Sequence, residues 1–272
     1  MAAGSFRLIA SRHNPRLKEL RAALARGGRT PAGLVAIEGE HLVAEAARSG
    51  LRFATVFVCE GATPAMDLPP AVERLVLTRE LFAHAAATEQ PQGIAALVEP
   101  PAPAPAALFS GTPLLLVLAG LQDPGNVGTL IRSAEAFSAT GVILLPGTAS
   151  PWNPKALRAS AGSVFRLPLL SAGESDALAL LTGHGVATVA AVARDGAAPD
   201  RLPLQRACAL LIGNEGAGLS PGLIEAATHR ATISMPGRIE SLNAAIAGSL
   251  LLYEAARFRG EAARQRANPI HL

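Results

Sequence analysis

Short runs of consecutive apolar residues alternate along this chain with stretches in which apolar positions recur every three or four residues. The runs "LLLVL" (114–118), "GVILL" (141–145), "ATVAAVA" (187–193), "ALLIGN" (209–214) and "ATISM" (231–235) predict buried strands. Helical spacing falls near 127–138, 174–183, 220–227 and 242–258. Strand and helix in alternation predict a mainly parallel sheet covered on both faces. Ligands of such sheets lie beyond the carboxyl ends of the strands, where the polar loops of this chain fall.

The N-terminal part alternates in the same way. "SRHNPRLKELRAALARG" places Leu17, Leu20 and Leu24 at helical spacing after an Asn-Pro break. "GLVAIEG", "ATVFVCEG" and "QGIAALVEP" predict strands, and "EHLVAEAARSG" an amphipathic helix that stops at glycine. Between the two parts lies "EPPAPAPAALFSGTP" (99–113), whose prolines favour an extended strut and remove backbone donors. The expected organisation is an α/β domain over 1–98, a linker over 99–113 and a larger α/β domain over 114–272.

Composition narrows the class. No apolar run of the 272 residues approaches the roughly 18 to 20 that a membrane span needs. "MAAGSFRLIASRHNPRL" turns charged too soon for a secretory leader, so a soluble, cytoplasmic protein without a membrane partner is expected. Cys59 and Cys208 match no metal-ligand spacing, the six histidines do not cluster, and both cysteines read as buried strand residues. No metal is expected. The net charge is only +3, yet Arg7, Arg12, Arg16, Lys18, Arg21, Arg26 and Arg29 face the single acid Glu19 within 7–29. That patch suits a polyanion such as nucleic acid, or is a solvated helix face.

Three loops carry the candidate chemistry. In "QDPGNVGT", Gly125 and Gly128 permit close backbone approaches, Asn126 can cap the following helix, and Arg132 follows within two turns. A capped helix start with an ion-paired arginine would look the same. "LLIGNEGAGLS" follows a strand, but its G-x-x-G-x-G order is neither the dinucleotide fingerprint nor a P-loop. It places Asn214 and Glu215 beside flexible glycines for chemistry, or forms a plain turn. In "ISMPGRIESLNAAIAGSLLLYEA", Ser241 and Asn243 stand at the start of an apolar helix, where Ser241 can also be an N-cap.

Taken in this order, the loops resemble the motifs of the SpoU, or TrmH-like, family of S-adenosylmethionine-dependent RNA ribose 2′-O-methyltransferases, within the SPOUT superfamily. Asn126, Gly128 and Arg132 are similar to its Asn-x-Gly-x-x-x-Arg motif. "GNEGAGLS" resembles the second motif and "ISMPGRIESLNAAIA" the third, while "RASAGSVFRLP" (158–168) looks like the segment between the first and second. "NPRLKEL" and "IEGEHLVAEA" resemble the family's small substrate-binding domain, itself similar to ribosomal RNA-binding proteins.

The resemblance implies a SPOUT-type parallel sheet with a deep C-terminal trefoil knot, plus a ribosomal-protein-like N-terminal α/β domain. It implies cofactor contacts from Gly213, Asn214, Gly216, Ile233, Met235 and Leu242. It also implies catalytic roles for Asn126, Arg132, Glu215, Ser241 and Asn243. Family members pair as homodimers through the knot region, so each site can take residues from its partner copy. Guanidinium resists deprotonation, so Arg132 is expected to bind phosphate and stabilise a developing alkoxide rather than act as base. Glu215 would hold Arg132 or accept a proton.

Arg12, Arg16, Lys18 and Arg21 are the expected RNA contacts, with ribosomal RNA preferred and transfer RNA possible. Aromatics make up 4% of the chain, which favours recognition of folded RNA by shape over stacking. A non-catalytic RNA-binding protein of the same fold and a base-nitrogen methyltransferase are the alternatives. A serine hydrolase is disfavoured because no G-x-S-x-G occurs.

Overall fold

The computed structural model describes residues 6–25, 27–63, 72–87 and 91–267, so Arg26 of the basic patch lies outside the described residues. The chain forms two compact units, one of residues 1–102 and 150–166, the other of 103–149 and 167–272.

The first unit is built on a five-stranded sheet in the order β1-β4-β3-β5-β2. Its strands are β1 (Phe6–Ile9), β2 (Val35–Glu38), β3 (Phe53–Cys59), β4 (Glu73–Leu77) and β5 (Ile94–Val98). β1, β4 and β3 run parallel, and β5 is antiparallel to both β3 and β2. Helix α1 (Pro15–Ala25) starts where Asn14 Oδ1 accepts the amides of Arg16 and Leu17, with Pro15 at its first position. The three leucines expected on one face, Leu17, Leu20 and Leu24, are all buried with Phe57, Leu75, Leu77 and Phe82. Helices α2 (Glu40–Arg48) and α3 (Arg79–Ala85) also belong to this unit.

β1, β4 and α3 were not legible as elements. β4 buries only alternate positions, and its "ERLVL" carries an apolar run of just three residues after two charged ones. Cys59 is only half-buried at the end of β3, not a core residue as expected, whereas Cys208 is buried.

The segment 150–166, between the first two motifs in sequence, packs within this first unit. It carries helix α5 (Pro154–Ser160), which Asn153 caps through its side chain. Two close approaches seat it. A Cβ on Gly28 would fall 1.6 Å from the Trp152 carbonyl oxygen, and one on Gly162 would fall 2.6 Å from Glu45 Cβ. Arg166 also pairs with Glu45.

The second unit holds six parallel strands in the order β11-β9-β10-β6-β7-β8. They are β6 (Leu114–Leu118), β7 (Gly141–Leu144), β8 (Leu169–Ser171), β9 (Ala187–Ala191), β10 (Cys208–Ile212) and β11 (His229–Ala231). Every residue of the adjoining β6 and β10 is buried, which is why both read as unbroken apolar runs. Helices α4 (Pro124–Ala136), α6 (Glu174–Gly183), α7 (Pro221–Ala226) and α8 (Ala244–Ala267) flank the sheet. α4 lies against α8 at Gly248, where a Cβ would come 2.5 Å from Leu130 Cδ2. Ser133 and Ser249 join the same pair of helices at 2.7 Å.

Three boundaries depart from expectation. The strand expected at 231–235 ends at Ala231. Beyond it, Thr232 Oγ1 donates to the Val192 carbonyl and accepts the Gly196 amide, drawing the chain out of the ladder before Pro236, which has no amide to donate. In the proline-rich stretch, Pro105–Phe109 form a 3-10 turn with Leu108 buried, and Phe109 stacks on His184 at 3.7 Å, so an extended strut does not reach this far. β8 was not foreseen.

Candidate active site

The carboxyl ends of β6, β9, β10 and β11 carry the polar loops. After β10 the chain closes a tight loop in which Asn214 and Gly218 exchange both backbone hydrogen bonds at 3.0 Å. The Asn214 side chain makes three hydrogen bonds there. Its Oδ1 accepts the Gly216 and Ala217 amides at 2.9 and 3.0 Å, and its Nδ2 donates to the Gly120 carbonyl at 2.8 Å. Gly218 has φ +71°, and a Cβ on Gly213 would lie 2.3 Å from the Gly218 carbonyl carbon. Both positions therefore require glycine.

Asn243, not Ser241, caps α8, since its Oδ1 accepts the amides of Ala245 and Ile246 at 2.9 and 3.2 Å. Similarly, α4 begins at Pro124 and is capped by Asp123 through the Gly125 amide, which releases Asn126 from the capping role expected of it. Asn126 instead sits between two distant loops. Its Nδ2 donates to Glu215 Oε1 at 2.7 Å, and its Oδ1 accepts from Asn243 Nδ2 at 3.2 Å. The amide directions follow from chemistry, because an ionised carboxylate only accepts. A directed chain of donors thus runs from the amino end of α8 through Asn243 and Asn126 to Glu215.

Beside this chain lies a cavity of about 370 Å³. Gly213, Asn214, Gly216, Ile233, Met235 and Leu242 all line it, as do Glu215 and Ser241. Ile212, Leu251 and the end of β9 with the two residues after it, Ala191 to Ala193, also line it. The β9 residues were not anticipated; the rule that ligands sit at carboxyl strand ends was the one signal for them. A second cavity of about 410 Å³, bordered by Gly120, Glu174 and Ser220, shares Asn214, Ala217 and Gly218 with the first.

Arg132 is not part of this assembly. It is exposed, does not line the cavity and makes no hydrogen bond or ion pair among the described residues. Of the two roles expected of Glu215, holding Arg132 or accepting a proton, the first is not seen, since its carboxylate accepts from Asn126 instead. The reason is helical phase. Six residues separate Asn126 from Arg132, which turns the arginine about 120° away from the amide and carries it about 9 Å along the axis.

Of the expected RNA contacts in α1 and before it, Arg12, Lys18 and Arg21 are exposed. Arg16 differs: it pairs with Glu19 at 2.9 Å and Glu73 at 3.5 Å, and the Glu19 hydrogen bond raises its pKa above the ordinary value. Among the described residues no group of three or more His, Cys, Asp or Glu is arranged to hold a metal ion. Nor is any described helix long and apolar enough to cross a membrane.

An all-parallel sheet whose strand-end loops bear these motifs defines a class, and residues 113–253 match the SpoU rRNA methylase family. The chain belongs to that family. Residues 14–96 match the MRM3-like substrate-binding domain. The chain is 34% identical over 245 residues to the 23S rRNA (guanosine(2553)-2′-O)-methyltransferase RlmP of Bacillus subtilis, covering 90% of this chain and 97% of that protein. Two solved structures are similar along nearly their whole length. An AdoMet-bound rRNA methyltransferase from Sinorhizobium meliloti aligns with TM-score 0.83 and 28% identity, covering 94% of this chain and 99% of that one. The SpoU methyltransferase AviRb from Streptomyces viridochromogenes, in complex with AdoMet, aligns with TM-score 0.81 and 27% identity, covering 91% and 98%.

Proposed function

We propose that this protein transfers a methyl group from S-adenosylmethionine to a ribose 2′-hydroxyl of ribosomal RNA. One observation carries the reading. The residues of the second and third motifs line a single cavity, and the Asn243–Asn126–Glu215 chain ends at Glu215 in its wall.

The cavity fits the cofactor. Its volume is within the range of small-molecule sites, and its wall combines Ile212, Ile233, Met235, Leu242 and Leu251 with the polar backbone of a glycine-rich loop. That suits a body with an apolar face and polar edges. When bound, S-adenosylmethionine supplies a methyl group activated by a sulfonium. Gly213, Gly216, Ile233, Met235 and Leu242 would hold it, with Asn214 shaping the loop beneath. The protein's remaining task is to place a weakly acidic hydroxyl in line and to remove its proton. Asn126 and Asn243 orient the ribose, Ser241 contacts the nucleotide at the rim, and Glu215 accepts the proton.

Arg132 acts on a phosphate or the developing alkoxide of the site in a second copy. Support comes from the surface between α4 and α8. Thr129, Phe137, Ala245, Ile246, Ser249, Leu250 and Tyr253 line an apolar groove there. Ile246, Leu250 and Tyr253 are 53, 42 and 49% exposed, which is unusual for adjoining large apolar side chains. Arg132 is one helical turn from Thr129, which lines this groove, so a homodimer formed on it would carry the arginine to the neighbouring copy. The knotted threading implied by the family is part of the same reading, and the position of β10 between β6 and β9 is compatible with it. A cytoplasmic location goes with the RNA substrate.

Methyl transfer from labelled S-adenosylmethionine to protein-free bacterial ribosomal RNA, followed by mapping of the label, tests the proposal. A 2′-O-methylated ribose at one position is the expected result. Label on a base nitrogen would overturn it, and tight cofactor binding with label only in transfer RNA would move the substrate.

A further inference from the structure

The chain has one tryptophan, Trp152, and the guanidinium carbon of Arg29 lies 5.2 Å from the centre of its ring. Cation and ring come from different stretches. Arg29 falls within the substrate-binding match at 14–96, Trp152 within the methylase match at 113–253, and both belong to the first compact unit. Neither stretch read alone reveals the pair.

The backbone around Arg29 is tied down on every side. Gly28 has φ +87° and donates to the Ala23 carbonyl at 2.7 Å, while its own carbonyl accepts from Ala36 at 2.7 Å. Arg29 forms an antiparallel bridge with Val35, and Thr30 donates to Leu34 at 2.8 Å. The Trp152 carbonyl occupies the space that a side chain on Gly28 would need. Partial burial lowers the Arg29 pKa from its ordinary value, but a guanidinium remains charged.

Exposed though it is, Arg29 makes no ion pair with a carboxylate among the described residues. Arg158, on the helix that follows Trp152, is likewise exposed and without an acidic partner among them. A fixed, partly desolvated and unneutralised guanidinium in a unit that already carries Arg12, Lys18 and Arg21 is built to receive an anion. A cation–π contact with the indole uses none of the guanidinium N–H groups as hydrogen-bond donors to oxygen, which leaves them for phosphate oxygens.

We propose that Arg29, positioned by Trp152, binds a backbone phosphate of the RNA substrate. The proposal rests on the reading of the protein as an RNA methyltransferase. Trp152 is a positioning residue, because it acts through the orientation of the guanidinium. The chain's single tryptophan also gives a direct signal: a phosphate drawn onto Arg29 alters the environment of the indole.

The test uses the full chain and transcribed 23S rRNA, with affinity measured over a series of KCl concentrations and tryptophan emission followed during titration. Arg29→Ala is expected to weaken binding about tenfold at low salt and to lower the slope of log K against log salt by about one. Arg29→Lys should restore the slope but not the affinity, since a lysine cannot stack and chelate as a planar fork does. Trp152→Phe should stay near wild type, and Trp152→Ala should resemble Arg29→Lys. RNA should change the emission of the wild type but leave that of Arg29→Ala nearly unaltered, and calorimetry should find S-adenosylmethionine affinity equal in all variants. Wild-type affinity, slope and emission response in Arg29→Ala would overturn the proposal while leaving the methyltransferase reading intact. A wild-type protein that methylates no RNA and binds none would end both.

Discussion

Asn126 and Glu215, 89 positions apart, are joined by a hydrogen bond of 2.7 Å. Because Asn126 also accepts from Asn243, its amide can face only one way, and the three motifs become one polar unit. Asn126→Asp sets two carboxylates against each other and removes the donor. Its kcat should fall by about 10²-fold or more, the scale of losing one aligned donor, with cofactor affinity within a few-fold of wild type. Single-turnover methylation beside calorimetry separates the two quantities, and a matching loss of cofactor binding would mean that the chain shapes the cavity instead.

Arg132 stands outside that unit in one copy of the chain, so its effect should depend on assembly. At saturating RNA, Arg132→Ala should lose about 10²-fold in kcat and Arg132→Lys should recover little of it. Mixing Arg132→Ala with a variant dead at Asn126 should restore activity to part of the mixed dimers if the arginine serves the partner's site. No recovery in the mixture would place Arg132 in its own copy's site.

Gly213 leaves no room for a side chain, with the Gly218 backbone 2.3 Å from the place a Cβ would take. Gly213→Ala must displace the loop, and overpacking of this kind costs about 1–3 kcal/mol. The expected outcome is a lowered Tm together with weakened S-adenosylmethionine binding. Gly216→Ala, whose nearest neighbour is the Asn214 side chain at 3.6 Å, should be far milder.

Arg259 secures the carboxyl-terminal helix to the sheet by donating to the carbonyls of Leu204 at 3.0 Å, Thr112 at 2.6 Å and Pro113 at 2.9 Å, and to that of Arg206. Arg259→Ala should cost about 2–4 kcal/mol, since several carbonyls lose a charged donor at once. Denaturant unfolding measures this, and a change under about 1 kcal/mol would mean that water replaces the guanidinium.

Burial pushes the Cys208 thiol up, more than nearby Arg259 draws it down. A group whose folded pKa lies above its unfolded value stabilises the protein below the unfolded pKa, and this contribution is lost as pH rises. Stability should therefore decline above about pH 8.5, and Cys208→Ala should flatten that decline. In the native protein half-buried Cys59 should react with a thiol reagent well before Cys208.

Salt dependence should map the α1 face. Replacing Arg12, Lys18 and Arg21 together by alanine should lower the salt slope of RNA binding by about one for each phosphate these side chains neutralise. Arg16→Ala should change it less, because Glu19 and Glu73 already neutralise that charge.

Local pattern sufficed for much of this molecule. The unbroken runs at 114–118 and 209–212 belong to strands buried on both faces, and burial on both faces selects apolar residues at every position. The leucines of α1 were legible because a helix against a sheet repeats its buried face every three to four residues. The residues singled out by motif resemblance in the second and third loops stand around one cavity.

Other features had no local signal. Half-exposed β4 has an apolar run of only three residues, and the strand expected at 231–235 gave way to the demands of Thr232 and Pro236. Whether Asn126 or Asp123 caps α4, and whether Ser241 or Asn243 caps α8, depended on where each helix begins, a matter of a few residues that propensity does not resolve.

By itself, the sequence determined which segments must be buried, where the chain must turn and which residue types are available for chemistry, because these depend on composition and spacing within a few residues. Tertiary structure alone decided that Asn126 would meet Glu215 and Asn243, that Arg132 would point elsewhere, and that Arg29 would lie over Trp152. Those pairings depend on the order of strands in a sheet and on the angular phase of helices packed against it. Neither is set by the residues that happen to be adjacent in the chain.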